Sequence, residues 1–220
     1  GHVLLFGLVQ EQLLADELAA VNAMGDRLNQ IASSCSELIS ELENEGLEGA
    51  SFMKDGGEEF DFKVLPVTLE EELGSLDAEL DALFTYRKML DNKRPLQEQL
   101  GFIAAHSEVS WSAMTPTRDG SYTKRAVTAR IKEVRAHVCV PIGSLAETLE
   151  KALALNAEES RLKKQGKAAR MELIEHTKAA IESLTDEQAL DLLHRKWVTP
   201  LVERLQQLPD EVVDGLVKRV

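Results

Sequence analysis

The sequence predicts an all-α protein built on a long antiparallel coiled-coil-like helical hairpin, with further helices after it. Three observations carry that expectation. Leucine occurs 33 times while aromatic residues make up only 5% of the chain, so burial rests on aliphatic side chains suited to helices. Apolar residues keep a heptad from Leu14, with Val21, Leu28, Cys35 and Leu42 at one position and Met24, Ile31 and Leu38 at the other. Helix-start signals then recur at Thr68/Glu71, Ser144/Glu147 and Thr185/Gln188. With 220 residues and 44% hydrophobic content the chain is long enough for a sizeable core, which excludes a wholly disordered protein.

Gly1 and His2 read as a cloning remnant, and the text from Val3 as the truncated start of a helix, so residues 1–7 are set apart. The apolar stretch Val3–Val9 is far shorter than the ~20 residues a membrane span requires. It has no basic flank or cleavage-site pattern of a signal peptide. Residues 8–44 are expected to form one helix of about 55 Å, too long to stand without a helix packed along it. Its expected partner is a second helix beginning at Thr68, whose residues Leu69, Leu73, Leu76, Leu80, Leu83 and Leu90 repeat at spacings of three, four and seven. Together these give a hairpin over 8–91. Its connector, 45–67, holds Gly46, Gly49, Gly56 and Gly57, and Phe60 and Phe62 leave room there for a small β-hairpin.

Residues 92–138 form a basic helical segment: a helix from Pro95, a loop through Trp111 to Gly120, and a helix after Thr123 with Val127, Ile131 and Val134 inward. That arrangement is compatible with a helix-turn-helix. Residues 139–220 form a third segment, with a long helix from Ser144 to about Leu184 in which Gly166 marks a place to bend. A helix capped by Thr185 follows, lined by Leu190, Leu193, Trp197, Leu201 and Leu205, and Leu208-Pro209 opens the last stretch.

The net charge of -13 is unevenly spread: residues 41–72 carry eleven acids and two lysines, whereas Arg87–Cys139 carry ten bases and five acids. A local excess of that size is usually a solvated face, with nucleic-acid contact through Lys93, Arg94, Lys124, Arg125 and Arg130 as the alternative. The heptad residues Leu14, Val21 and Leu28, together with Trp197, are the candidates for a partner interface.

Catalytic and cofactor signatures are missing. The six prolines are never adjacent and no Gly-x-Gly occurs, so neither a paired-proline methyltransferase motif nor a phosphate-cradling loop is present. His137 and Cys139 lack further ligands at metal-binding spacing. The acids Glu58-Glu59 and Glu70-Glu71-Glu72 fit a solvated connector and a first helical turn better than acid/base chemistry. Cys35 occupies a heptad core position, which favours packing over nucleophilic reactivity. Two distant cysteines fit a reducing, cytoplasmic setting.

Two segments carry a resemblance: Tyr86-Arg87-Lys88-Met89-Leu90-Asp91-Asn92-Lys93-Arg94-Pro95-Leu96, and Leu184-Thr185-Asp186-Glu187-Gln188 leading to Lys196-Trp197-Val198-Thr199-Pro200-Leu201. Glu108-Val109-Ser110-Trp111 and Asp119-Gly120-Ser121-Tyr122-Thr123-Lys124 lie between them. From about residue 10 onward the chain resembles the C-terminal region of the modification (M) subunit of type I restriction-modification systems. That resemblance implies a bacterial DNA adenine N6-methyltransferase as the parent, dependent on S-adenosylmethionine. It also implies a specificity (S) subunit as direct partner, and a restriction (R) subunit and DNA reached through the complex. The family's cofactor loop and its Asn-Pro-Pro-aromatic motif are absent here, so no catalytic, cofactor or metal residue is carried over. The implied role is a non-catalytic helical arm that packs with helices of the S subunit. A stand-alone helical scaffold and a DNA-binding module centred on 95–137 are the alternatives.

Overall fold

The computed structural model describes residues 6–47, 49–202 and 204–207; Gly1, His2 and the segment from Leu208 lie outside them. Among the described residues the chain is all-α with one two-stranded hairpin. Its contacts divide into two compact units, one drawn from residues 1–30 and 159–220 and the other from 31–158. The sequence segments 8–91, 92–138 and 139–220 do not coincide with these units, because two long helices supply residues to both.

Helix α1 (Phe6–Leu13) leads into α2 (Ala15–Asn44), whose first turn carries Asp16 and Glu17 at its positive dipole end. Gly46 ends α2: its φ of +76° lets Leu47 N–H reach Leu42 C=O and its own N–H reach Glu43 C=O, a paired closure that favours glycine. The acidic connector then forms the small hairpin for which the sequence left room. Strand β1 (Met53–Lys54) pairs antiparallel with β2 (Glu59–Phe60), Met53 opposite Phe60, around a turn with Gly56 and Gly57 at positive φ. Phe52 and Phe60 are buried beneath it.

The next segment departs from the single helix expected after Thr68. Pro66 sits in the first turn of α3 (Leu65–Leu76), so the helix starts before Thr68, which lies inside it. The chain then breaks at Asp77, extended at φ -146° and ψ 119°, and this residue caps α4 (Ala78–Asp91) by accepting from Leu80 N–H at 2.9 Å. Leu73, Leu76 and Leu80 keep helical spacing across the break, which hides it in the sequence. Helices α5 (Leu96–Ala105) and α6 (Lys124–Arg135) follow; Thr123 caps α6, and Val127, Ile131 and Val134 are buried as expected. The connection between α5 and α6 runs from 106 to 123, far longer than the ~3–4 residues of a helix-turn-helix, so that arrangement is not formed.

Helix α7 (Leu145–Ser183) opens at the expected cap: Ser144 Oγ accepts from Glu147 N–H, and the Glu147 carboxylate accepts from Gly143 N–H at 2.7 Å. It runs unbroken through Gly166, against which Met24 packs; a Cβ there would lie at ordinary contact distance, 3.8 Å, from the Met24 sulfur. Helix α8 (Asp186–Leu193) carries the complete Thr185/Gln188 capping box and leads into a π-helical turn, His194–Val198.

The partner of the heptad differs from expectation. In the first unit Gln10 donates to Thr177 at 3.1 Å, Glu17 meets His176 at 2.8 Å, and Met24 covers Gly166, so α2 pairs antiparallel with α7. In the second unit Leu38 and Leu155 line one groove between the same two helices. Only the end of α2 joins the predicted partner: Leu38 and Leu42 share a core with Leu69, Leu73, Leu80 and Leu83. The physical reason is that α3 and α4 turn at Asp77 and are each too short to cover the seam, whereas α7 is long and places small residues such as Ala152 and Gly166 on its buried face.

Candidate interaction site

The basic zone is assembled from α4, the 106–123 connection and α6, and five of its ten cations hold carboxylates of the same unit. Arg130 is the most enclosed, its side chain 19% exposed beside Glu79 at 18%. Glu79 Oε1 accepts from Arg130 Nε at 3.0 Å and from Ser110 N–H at 3.1 Å, and Glu133 approaches Arg130 at 3.3 Å. Burial alone would lower the Arg130 pKa; hydrogen bonding to Glu79 and its charge, aided by Glu133, outweigh this and raise it. The guanidinium is thus a strut between α4 and α6. Lys124 is tied to Asp91, Arg135 to Glu150, Arg87 to Glu70, and Arg94 to Glu98 at 3.9 Å. Arg125 is exposed on α6, and Lys93 is exposed at the turn between α4 and α5, where it takes a left-handed φ of 50°. The five cations singled out for DNA contact are therefore split: Arg130 serves an enclosed pair, Lys124 and Arg94 sit in exposed pairs, and Lys93 and Arg125 face solvent.

The apolar candidates divide in the same way. Val21 is buried and Leu28 half-buried on the α2 face that carries Met24 toward α7, and Leu14 is half-buried at the junction of α1 and α2, so each is covered at least in part within the unit. Trp197 is 58% exposed and has company: Leu190 is 66%, Leu201 62% and Leu205 65% exposed. These residues follow one another at spacings of seven, four and four through α8, the π-turn and the helical turns after it, and Val198 and Val202 widen the stripe. The other side of the segment is anchored, with Leu192 buried and Arg195 donating to Gln12 of α1 at 2.7 Å. Lys196 lies over the Trp197 ring at 4.7 Å, and the ring is still more than half exposed. Exposed apolar side chains in a row, on a segment otherwise held in place, mark a surface that gains by being covered.

One cluster went unread in the sequence. Tyr86, Phe102, Trp111 and Tyr122 pack together, with Trp111 stacked on Tyr122 at 5.2 Å and edge-on to Tyr86 at 5.3 Å. Tyr122 N–H donates to the Tyr86 hydroxyl at 3.1 Å and the Trp111 indole donates to His106 C=O at 2.7 Å. Burial pushes the Tyr86 phenol pKa up, against the Tyr122 hydrogen bond. The cluster fixes the long 106–123 connection onto α4 and α5. Its four rings are scattered over 86–122 with no common period, so no spacing rule finds them.

Among the described residues, no group of three or more His, Cys, Asp or Glu is placed to hold a metal ion, and no helix is long and apolar enough to cross a membrane. Comparison with known protein families, characterised proteins and solved structures returned no match.

Proposed function

We propose that this chain is the non-catalytic C-terminal helical region of a type I restriction-modification M subunit, and that it docks onto the S subunit so that the catalytic part of the parent protein can methylate adenine in DNA. The exposed stripe Leu190, Trp197, Leu201 and Leu205 carries the proposal. A partner helix presenting its own apolar ridge would bury that stripe, and a large aromatic ring flanked by leucines is the kind of anchor that dominates helix-in-groove recognition. S-adenosylmethionine and the flipped adenine belong, in this reading, to the parent's catalytic domain; the R subunit and DNA are reached through the complex, in a bacterial cytoplasm.

The rival DNA-binding module is less well supported, because Arg87, Lys124, Arg130 and Arg135 already neutralise carboxylates and the chain's net charge of -13 repels phosphate at long range. Co-expression with the S subunit of the same operon tests the choice. Retention of the S subunit on the tagged chain at about 0.5 M salt, where phosphate contacts are screened and apolar packing persists, is the expected result. Loss of the S subunit, together with tight duplex binding at low salt, would transfer the assignment to the DNA-binding module.

A further inference from the structure

A second surface lies in the unit formed by residues 31–158. Between α2 and the first turns of α7 runs an open groove of about 380 Å³. Its floor is apolar, made by Leu38, Ala154 and Leu155, and its rim carries Glu37, Glu41 and Glu158. Lys151 also borders it, but its ammonium is engaged by Glu147 at 2.9 Å, one turn back along α7. We infer that this groove is a docking site for a basic amphipathic helix of a partner protein.

Two packed helices with an apolar trough between them offer a ridge-into-groove seat for a third helix. The floor supplies the apolar contact, and the Glu37 and Glu41 carboxylates on the α2 rim select an occupant whose Lys or Arg residues flank its ridge. A second copy of this chain is the wrong occupant, because it brings another acidic rim and another net charge of -13 to the same place. The α2 side of the groove spans two helical turns, so the occupant needs apolar anchors at i, i+3 or i+4, and i+7, with cations between. The stripe at 190–205 plays no part here, and either reading can fail without the other.

The test uses the full chain and a fluorescein-labelled Leu/Lys peptide of about 18 residues, long enough to hold a helix and carrying one benzophenone. Anisotropy is expected to report binding that weakens about tenfold in Glu37→Lys/Glu41→Lys, while reversal of two exposed acids elsewhere, Glu71→Lys/Glu182→Lys, costs at most about threefold. Photo-cross-links are expected within 34–41 and 151–158. Rim side chains point to solvent, and an unchanged circular dichroism spectrum verifies that both variants fold. No binding, equal losses in the two variants, cross-links spread over other acidic surfaces, or a chain that sediments as a dimer through this groove would each overturn the inference.

Discussion

Replacing Glu79 by alanine removes the carboxylate that accepts from Arg130 and from Ser110 N–H, and leaves a guanidinium that is only 19% exposed without its main counter-charge. Breaking a fully buried pair in this way typically costs about 3 to 5 kcal/mol. Here the enclosure is incomplete and Glu133 remains 3.3 Å from Arg130, so the expected loss is about 2 to 3 kcal/mol. For a chain of this size that corresponds to a fall in Tm of about 5 to 10 °C. Urea unfolding followed by Trp111 fluorescence in a Trp197→Phe background isolates the unit that holds the pair. Glu79→Ala/Arg130→Met is expected to recover at least about 1 kcal/mol of the loss, since the stranded charge is gone. A Glu79→Ala variant within about 0.5 kcal/mol of the parent would refute the strut and return Arg130 to the pool of cations open to DNA.

Gly166→Ala is expected to stabilise by roughly 0.5 to 1 kcal/mol, because the added Cβ makes ordinary contact with Met24 and lifts helix propensity. Gly74→Ala is expected to destabilise, because its Cβ would meet Asp81 Oδ1 at 3.0 Å and Asp81 Cα at 3.3 Å; thermal melts of the pair read both signs. Leu80→Glu seats a charge at a fully buried position and should cost more than the about 2 to 5 kcal/mol of a truncation, whereas Leu28→Glu, half-buried against α7, should cost less and should loosen 159–183 rather than 69–90 in hydrogen exchange. The carboxyl pKa values of Asp61, Glu108 and Glu147 are lowered on folding, each chiefly by a backbone N–H donor, from ordinary values of 3.8, 4.5 and 4.5. Their contribution is therefore complete above those values and lost as pH falls through the lower folded ones, so Tm should hold from neutrality to about pH 5 and drop below about pH 4.

Much of the architecture is legible because helix starts are chemically local. Ser144, Thr185 and Thr123 each announce a helix through a side chain that satisfies the backbone a few residues on, and the structure puts α7, α8 and α6 where those caps direct. Partner choice is not local. The α2 heptad states that a seam exists without saying what covers it, and the α7 side is marked by small residues such as Ala152 and Gly166, which carry no apolar period to read. The Asp77 break is masked by leucines that keep their period across it. The ion pairs of the basic zone join residues as distant as Glu79 and Arg130, so net charge by segment overstates how much of it faces solvent. Of the candidate interface, Trp197 and the leucines of its stripe are readable as one helical face; that the face is left bare, while Val21 is buried and Leu14 and Leu28 are half-buried, required the fold.

The most direct measurement of the central claim is amide hydrogen exchange of the chain alone and in complex with the S subunit of its operon. The account predicts new protection across residues 186–205, centred on Trp197 and Leu201, with 95–137 unchanged. Protection confined to 95–137, with the stripe exchanging as in the free chain, would contradict it.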